Sequence, residues 1–535
     1  MPTNVIELTS PLNEAEAGAI DAFAADHGGA ESLGALAAFL ADRFSVELSL
    51  DSDIVSGFAT DSSNLPGQAA ALARPATERE CAAVFRACFA AGIPYTVSAG
   101  RSNLTGSATP EGGVVVSTVK MLSPDVSVDE AASTVTAPVG VILEEMREAV
   151  LAATSGRLHY PVDPTSRADA TVGGTIACNA SGFVPGERGA TRDWVESVRI
   201  LLPDGRSCEA PRGQFISEDG AFLLRDSGVT TELPVPRYER PTIKNAGGPY
   251  SAPDGRMDFV DLVVGSEGIF GLVTACELGL APRPSDYLDL FFSLPTEADV
   301  VAFQEKLREH LGGELGSLSA VEYFGINCRR HMDHEERLFR GDDQVAVYLQ
   351  VPLAGVEIED AAEEWFGFVV ESDCNVDEDA VLLLDNDRDR AVFMESRHSL
   401  PANSLEVVQR RGTYTIMTDC AVPPARFREF LDCANGLIAA EGMDYLSFGH
   451  LGDCHLHFNI LPEKEELERA VALYDMIVAK ATELGGVYSG EHGTGKRKRK
   501  DFLRCYGEGA AEQVRRCKAA LDPRFLLNRG DVIEP

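Results

Sequence analysis

The sequence predicts a mixed α+β protein in which two main domains follow a short N-terminal helical segment. Up to residue 282, short apolar strands alternate with amphipathic helices and with loops rich in glycine, serine and threonine. The segment PRP at 282–284 then marks a change of composition. Beyond it, strands such as DQVAVYLQVPL alternate with amphipathic helices such as IEDAAEEWFGFVVES. We therefore predict a helical segment at 1–70 and domains at 71–282 and 283–535.

The first helices and strands follow from apolar spacing and capping residues. The segment ESLGALAAFLADRF repeats its apolar residues at helical spacing. A second helix begins after Thr77, whose spacing to Glu80 is that of a capping box, and it ends at Gly92. The short apolar segments IPYTVSAG, GGVVVSTV and STVTAPVG are typical of strands.

The rest of the first domain combines a long loop with further strands. Small residues fill a loop at 161–182 that runs into a helix. The segment DWVESVRILLPDGR predicts a β-hairpin that turns at Asp204 and Gly205. The segment DLVVGSEGIFGLVTACELGLAPRP predicts a strand, a glycine-rich turn and a second strand that ends at Pro282.

The charge and the N-terminus exclude several classes of protein. The chain carries 84 acidic and 47 basic residues, for a net charge of −37, which repels nucleic acid and anionic membrane surfaces. The opening MPTNVIELTSPLNEAEAG lacks the basic and apolar regions of a signal peptide. Because no run of about 18 apolar residues occurs either, we expect a soluble, cytoplasmic protein without a transmembrane segment.

The twelve cysteines are scattered from Cys81 to Cys517 and never form a CxxC pair. This spacing argues against a zinc ribbon and against an iron–sulfur cluster within the chain. We expect the thiols to be reduced and mostly buried.

The loop SAGRSNLTG, Ser98 to Gly106, is a candidate anion-binding loop. Gly100 and Gly106 permit positive φ, and successive backbone N–H groups there, with Ser102, Asn103 and Thr105, offer donors to an anion. The loop is neither GxGxxG nor a P-loop, so a Rossmann fold is not supported. A plain glycine turn explains this loop alone equally well.

Two further loops make the pattern specific. The segment YPVDPTSRADATVGGTIACNASGF and the segment VGSEGIFGLVT follow the first loop in order, and LDPRFLLNRG lies near the C-terminus. Together they resemble the vanillyl-alcohol-oxidase/p-cresol-methylhydroxylase superfamily, in the branch of D-lactate and D-2-hydroxyglutarate dehydrogenases and the glycolate oxidase flavoprotein subunit. The resemblance covers roughly residues 50 to 535. It implies a PCMH-type FAD-binding domain of two α/β subdomains and a ferredoxin-like α+β FAD-linked oxidase C-terminal domain.

The resemblance also implies which residues bind FAD. Residues 98–106 would hold the pyrophosphate, and the 161–182 loop would line the isoalloxazine and ribityl groups. Residues 267–269 would approach the adenine or ribose side, and the C-terminal tail would contact the flavin. The residues concerned are Ser98, Gly100, Arg101, Ser102, Asn103, Leu104, Thr105, Gly106, Pro161, Asp163, Gly173, Gly174, Ser181, Gly182, Glu267, Gly268, Ile269 and Asn528. Arg101 replaces a glycine usual in the family, so it either points outward or adds a cation to the pyrophosphate. We expect the FAD to be non-covalent, although His159 lies before the second loop.

The segment HLHFN concentrates histidines in a short apolar stretch. As a strand it places His455, His457 and Asn459 on one face, and His450 precedes them by a glycine-containing turn. Farther on, Glu491 and His492 lie in the loop GGVYSGEHGTGK. Imidazole nitrogens suit zinc, manganese or iron, and two histidines with a glutamate leave open metal positions, as catalytic sites do.

The resemblance assigns roles to these residues. His450, His457 and Glu491 would hold a divalent metal, Asn459 would bind substrate, and His492 would be the general base. The alternative is a satisfied polar cluster beside the flavin without a metal. His455 departs from the family pattern and is expected to be either a substitute ligand or a solvent-facing residue.

A substrate clamp is expected in FMESRHSLPANSLEVVQRRG. Arg397 and His398 are the candidates, because a guanidinium pairs well with a carboxylate; the alternative for Arg397 is a surface salt bridge. Relatives usually carry a lysine just before the segment matching TDCAVP, whereas Tyr414, Thr415 or Met417 occupies that space here. This absence argues against a dicarboxylate such as D-2-hydroxyglutarate.

The basic run KRKRK at 496–500 is expected to be a solvated face, or else to attract an anionic substrate or an acidic partner.

The resemblance implies FAD-dependent oxidation of a D-2-hydroxyacid to the 2-keto acid, with metal assistance, hydride transfer to flavin N5 and His492 as base. Electrons would pass to a quinone, an electron-transfer flavoprotein or an iron–sulfur subunit, and a homodimer is compatible with the sequence. The alternatives are a non-redox synthase of the alkylglycerone-phosphate synthase type, which needs a phosphate site, and a flavin-binding docking subunit.

Overall fold

The computed structural model describes residues 2–313, 315–340 and 343–535. Its helices are α1 (Glu14–Asp26), α2 (Leu33–Phe44), α3 (Ser52–Ser56), α4 (Glu78–Ala91), α5 (Leu143–Ala153), α6 (Val172–Cys178), α7 (Phe259–Val263), α8 (Glu297–His310), α9 (Glu335–Leu338), α10 (Ile358–Val370), α11 (Asp387–Arg411), α12 (Phe427–Glu441), α13 (Leu467–Glu483) and α14 (Arg499–Leu521). Its strands are β1 (Val5–Glu7), β2 (Leu48–Ser49), β3 (Ala71–Ala73), β4 (Tyr95–Ser98), β5 (Val114–Ser117), β6 (Ser127–Asp129), β7 (Thr134–Pro138), β8 (Leu158–His159), β9 (Val195–Leu201), β10 (Ser207–Pro211), β11 (Ala221–Asp226), β12 (Val229–Pro234), β13 (Leu272–Gly279), β14 (Ala281–Pro282), β15 (Asp286–Leu294), β16 (Ala320–Phe324), β17 (Val345–Leu353), β18 (Val381–Leu383), β19 (Ile416–Met417), β20 (Cys420–Ala421), β21 (Tyr445–His450) and β22 (His455–Ile460).

The N-terminal part of the fold is built on two sheets. The first has the order β2-β3-β5-β4, in which β3, β5 and β4 are parallel. The second has the order β10-β9-β13-β7-β6, which is antiparallel throughout. Smaller sheets, β1-β11-β12 and β14-β8, complete this part. The strands change sheet between Pro282 and Asp286, near the position at which the sequence predicts a domain boundary.

Local predictions of helices and turns are confirmed where capping residues decide the structure. The Thr77 hydroxyl accepts the Glu80 N–H at the start of α4, and Gly92 ends the helix in the left-handed conformation. Glu80 reaches back to the N–H of Ala76. The predicted hairpin is β9–β10, and Gly205 takes a positive φ in its turn.

One predicted strand is wrong. Leu262 and Val263 of DLVV belong to α7 and Val264 is its C-cap, because Asp258 caps the start of that helix and its carboxylate accepts the N–H of Val260 at 2.9 Å. A short apolar run has no clear period, so the preceding cap decides between helix and strand.

The C-terminal part is built on an eight-stranded sheet of order β18-β15-β17-β16-β21-β22-β19, with β20 also paired to β22. One face packs on helices, where Phe303 of α8 contacts Phe292 and Phe430 of α12 contacts Phe458. The opposite face packs partly on Phe393 of α11. The rest of that opposite face carries the histidine cluster and turns toward the N-terminal part.

The C-terminal tail ties the two parts together. The N–H of Tyr95, on β4, donates to the carbonyl oxygen of Leu526, and the N–H of Asn528 donates to that of Tyr95. The Asn528 side chain bonds to Val97 and to the carbonyl oxygen of Glu267. The mixed α+β prediction is therefore confirmed. Among the described residues, no helix is both long enough and apolar enough to cross a membrane.

Candidate functional site

One cavity of about 520 Å³ lies between the loops of the N-terminal part and the eight-stranded sheet. Small-molecule and cofactor sites occupy about 300–1,000 Å³, so this cavity has the expected size. The predicted residues that line it are Gly100, Arg101, Ser102, Asn103, Leu104, Asp163, Gly173, Gly174, Ser181, Gly182, Glu267, Gly268, His450, His457, Asn459, Glu491, His492 and Asn528. The loops expected to bind FAD and the histidine cluster thus open into one space.

Several predicted FAD residues support the loops without lining the cavity. These are Ser98, Thr105, Gly106, Pro161 and Ile269. Asn103, expected as a donor to an anion, instead stabilises the loop itself. Its side-chain oxygen accepts the N–H groups of Thr105, Gly106 and Ser107 at 3.0–3.3 Å. The Arg101 guanidinium donates to the carbonyl oxygen of Gly57 and lies 4.6 Å from the ring of Phe58, which favours the outward alternative.

The backbone around the cavity is strained at three non-glycine positions. Arg101, Glu267 and Asn528 all line the cavity and all have φ between 44° and 59°. Such conformations cost free energy and concentrate at ligand sites, where the surroundings hold them in place. Glu267 accepts the N–H groups of Thr494 and Gly495 at 2.8 and 2.9 Å. Burial raises the pKa of this carboxyl to about 7, against the effect of those hydrogen bonds.

Gly100 lies where the loop has no room for a side chain. A Cβ added there would collide with the backbone of Asp169. We expect Gly100→Ala to displace one of the two loops by overpacking, at a cost of about 1–3 kcal/mol, and to lower the FAD content of the purified protein. The measurement is the ratio of flavin absorbance to protein after gel filtration. Gly436→Ala is the matched control, because a Cβ at Gly436 meets nothing within 4 Å. FAD retention equal to that of the control would contradict the assignment of this loop.

The histidine cluster lies on one face of β21 and β22, as predicted. Antiparallel pairing places His450 opposite His455, and Phe448 opposite His457. Residues two apart on a strand share a face, so Asn459 lies on the same face as His455 and His457. On the neighbouring strand β16, Glu322 is the cross-strand partner of His450, so the polar side chains on this face come from three strands.

Three imidazoles and a carboxylate converge within this face. Nε2 of His450 and Nε2 of His457 each lie 3.2 Å from a different oxygen of Glu491, and Nδ1 of His455 lies 4.0 Å from one of them. One donor atom from each of the four residues falls within 4.8 Å of the others. The expectation that His455 faces solvent is wrong, because its side chain is fully buried.

The outward-facing nitrogens of these rings are all held by acceptors. Nδ1 of His450 bonds Glu322 at 2.7 Å, Nε2 of His455 bonds Asp419 at 2.7 Å, and Nδ1 of His457 bonds the carbonyl oxygen of Thr418 at 3.1 Å. Metal-binding histidines usually hold their second nitrogen in this way, which fixes the ring and its tautomer. The donor set therefore fits a divalent metal.

The charges around Glu322 and Glu491 are strongly coupled. Burial would raise the pKa of Glu322, but His450 and Arg397 outweigh it and lower that pKa to about 2. Burial also opposes ionisation of His450, yet Glu322 and Glu491 raise its pKa to about 9. Lys244 and His450 hold the pKa of Glu491 well below its usual range despite burial. The carboxylates of the cluster are therefore ionised at neutral pH.

Asp419 organises the loop that carries His492. Its carboxylate accepts the backbone N–H of His492 at 3.0 Å, the Ser489 hydroxyl at 2.6 Å and the Lys498 ammonium at 2.8 Å. The Nδ1 atom of His492 lies 3.4 Å from the same carboxylate, and its Nε2 lies 3.4 Å from Glu491. His492 is thus a cavity-lining imidazole backed by a buried carboxylate.

Arg397 and His398 are not brought into the cavity. The Arg397 guanidinium donates to Glu322 at 2.8 Å and stacks on Phe183 at 4.1 Å, in a largely buried ion pair. It therefore supports the carboxylate that orients His450. His398 lies on the exposed side of α11.

The expectation that 496–500 is a solvated face holds only for Arg497 and Lys500, which are exposed. Lys496 pairs with Asp531 and Lys498 pairs with Asp419, and both side chains are buried. Lys500 and Arg499 make surface ion pairs with Asp475 and Glu534. The two buried pairs support the Glu491–His492 loop and leave Lys496 and Lys498 unavailable to the phosphate that a synthase would need to bind.

Sequence reasoning missed Glu322, Asp419 and Lys244. Lys244 is buried, with its ammonium 3.3 Å from Glu491 and 3.6 Å from Asp453. Glu322 and Lys244 lie far along the chain from the histidines, and no local motif marks them. Asp419 alone offered a signal, as the one charged residue between Arg411 and Arg426.

The comparisons with known proteins identify the two domains and several relatives. Residues 69–210 match the model of an FAD binding domain, and residues 290–532 match that of the C-terminal domain of FAD linked oxidases. A D-lactate dehydrogenase of Anaerostipes hadrus is 27% identical over 476 residues, covering 86% of this chain and 89% of that protein. Glycolate oxidase subunit GlcD of Bacillus subtilis is 26% identical, covering 86% of this chain and 88% of that protein.

The solved structure of 4-ethylphenol oxidase from Gulosibacter chungangensis has the same fold. It superposes with a TM-score of 0.69 at 15% identity, over 95% of this chain and 99% of that one. The prediction of a PCMH-type FAD-binding domain followed by an FAD-linked oxidase C-terminal domain is confirmed.

Proposed function

This chain belongs to the FAD-linked oxidases, and from that premise we propose that it is an FAD-dependent dehydrogenase that oxidises a D-2-hydroxyacid to the 2-oxo acid. The observation that carries the proposal is the shared cavity. The loops for FAD and the cluster of His492, Asn459 and Glu491 line one space. The stereochemistry and the substrate class are those in the names of relatives that match over most of their length.

The residues of the cavity fit FAD. Ser181 carries a buried hydroxyl oxygen that has no partner within the described residues, and it lines the cavity. Gly173 packs so closely on Val139 that a Cβ would lie 2.8 Å from the Val139 Cβ, which keeps that wall flat. His159 does not line the cavity, which supports a non-covalent cofactor. When bound there, FAD supplies the redox chemistry by taking two electrons from the substrate carbon.

His450, His457 and Glu491 are the proposed metal ligands, with zinc, manganese or iron as the ion, and His455 is a fourth donor. The Nε2–H of His455 is committed to Asp419, so its buried Nδ1 presents a lone pair that has no partner within the described residues. The Glu491 carboxylate, which is also an acceptor, lies 4.0 Å from this nitrogen. A cation satisfies both groups at once. A divalent ion there would supply Lewis-acid polarisation of the substrate hydroxyl.

We expect His455→Asn to lower the metal affinity by at least about 10-fold, because one donor is lost while the others keep their supports. Metal content after dialysis and isothermal titration with zinc provide the readout independently of activity. His334→Asn is the matched control, since His334 is exposed and has a positive φ, which asparagine tolerates. Equal zinc affinity in the two variants would remove His455 from the ligand set.

The protein's own residues complete the proposed chemistry. Asn459 has a buried side-chain oxygen with no partner in the described chain, and it lines the cavity where a substrate donor would meet it. His492 accepts the hydroxyl proton at Nε2, and Asp419 beside Nδ1 stabilises the charged ring that results. The substrate loses two electrons and two protons, and a separate acceptor, such as a quinone, an electron-transfer flavoprotein or an iron–sulfur subunit, takes up the electrons.

The test of this proposal is turnover with an artificial electron-accepting dye. We expect D-lactate or another D-2-hydroxyacid to reduce the dye, with one 2-oxo acid formed for each two electrons, and the L-isomer to be inactive. Dye reduction without 2-oxo acid, or equal rates with both isomers, would contradict the proposal.

A further inference from the structure

Apolar side chains surround the cluster on the cavity wall. Phe183, Pro401, Met417 and Phe448 all line the cavity beside His450, His457 and Asn459. The Phe183 ring lies 6.0 Å from that of His450, and the Phe448 ring lies 5.5 Å from that of His457. Met417 is the cross-strand partner of Asn459. A substrate whose reacting carbon faces His492 must therefore place its remaining substituent near these side chains.

The cations near this wall are already paired. Arg397 is engaged by Glu322, Lys244 by Glu491 and Asp453, and Lys498 by Asp419. Within the described residues, Arg101 is the only arginine or lysine that lines the cavity, and it is engaged by Gly57 and Phe58 in the N-terminal segment. A second carboxylate on the substrate would lose its hydration against this wall without gaining a partner.

We infer that the substrate is a D-2-hydroxymonocarboxylic acid with an apolar side chain, and that the enzyme rejects hydroxydicarboxylic acids. The proposed metal site and His492 would bind the carboxylate and hydroxyl groups, which both classes of acid share. The two classes differ in the substituent on the reacting carbon. Contact with Phe183, Met417 and Phe448 favours binding of an apolar substituent and disfavours binding of a charged one. This inference rests on the proposed function.

The test compares two acid series in anaerobic stopped-flow reduction of the FAD-loaded protein. The apolar series is D-lactate, D-2-hydroxybutyrate, D-2-hydroxyisocaproate and D-3-phenyllactate; the charged series is D-malate and D-2-hydroxyglutarate. We expect the second-order rate constant to rise about fourfold per added methylene group within the apolar series. We expect the charged acids to react at least about 100-fold more slowly than apolar acids of equal carbon number.

Met417→Lys adds a cation to the wall, and Met417→Gln adds polarity of similar length without charge. The lysine variant is expected to shift the ratio of rate constants toward D-malate and D-2-hydroxyglutarate by about tenfold or more, whereas the glutamine variant is expected not to. Faster reduction of the wild type by a dicarboxylate, or reduction by D-lactate but by no larger apolar acid, would overturn the inference and leave the proposed function intact. If no acid of either series reduces the FAD, the proposed function itself fails.

Discussion

Glu491→Gln is expected to abolish metal binding and turnover together. Glu491 contributes one oxygen to His450 and the other to His457, and it is the only carboxylate that all three imidazoles of the cluster approach among the described residues. Glutamine keeps the shape of the side chain but loses the charge with which Glu491 would hold the proposed divalent ion. Outer-sphere substitutions cost about 10- to 100-fold in metal affinity, so removal of this ligand is expected to cost at least about 100-fold.

The measurement is metal content by elemental analysis together with turnover in added zinc, manganese or iron. Glu359→Gln, at an exposed position of α10, is the matched control. Lys244 and His450 lose a buried counter-charge in the variant, so far-ultraviolet circular dichroism must show a folded protein. If the variant is unfolded, dialysis of the wild type against a chelator provides the same comparison. Full turnover by metal-free wild type would contradict a metal role.

His492→Gln is expected to slow reduction of the bound flavin by about 10²- to 10⁴-fold, the usual contribution of a general base. The backbone N–H that Asp419 accepts is kept, so the loop is expected to stay in place. FAD and metal content should equal those of the wild type, which separates this variant from Glu491→Gln. His310→Gln, at the end of α8, is the control.

The readout for His492 is the limiting rate constant of flavin reduction at saturating substrate. A role in positioning alone would change the substrate affinity and leave that rate constant within a few fold. An unchanged limiting rate constant would therefore remove His492 from proton transfer and place another group in that role.

Local patterns predicted those parts of the fold and the site that local physics decides. The caps of α4, the hairpin β9–β10 and the row His455, His457, Asn459 depend on neighbours within a few residues. The apolar run before Gly265 was misassigned because a single cap at Asp258 outweighs a short pattern. Apolar period and capping residues therefore suffice to predict a helix or strand in most segments. They fail where a short apolar run is compatible with both a helix and a strand.

The supporting residues of the site could not be predicted, because they meet only through the sheet. Glu322 reaches His450 across 128 positions, since β16 pairs with β21. Arg397 is not a free substrate clamp, because its guanidinium pairs with the carboxylate of Glu322. The sequence alone does not show that these two residues meet. The proposed metal ligands were identifiable by residue type and family resemblance, whereas the cavity wall emerged only from the assembled strands.

The most direct measurement is the anaerobic visible spectrum of the purified protein, recorded with D-2-hydroxyacids and their L-isomers before and after removal of metal by a chelator. We expect the oxidised flavin band to disappear with a D-acid only, chelation to prevent this loss, and added divalent metal to restore it. A protein that binds FAD but whose flavin no hydroxyacid reduces, with or without metal, would contradict the proposed function.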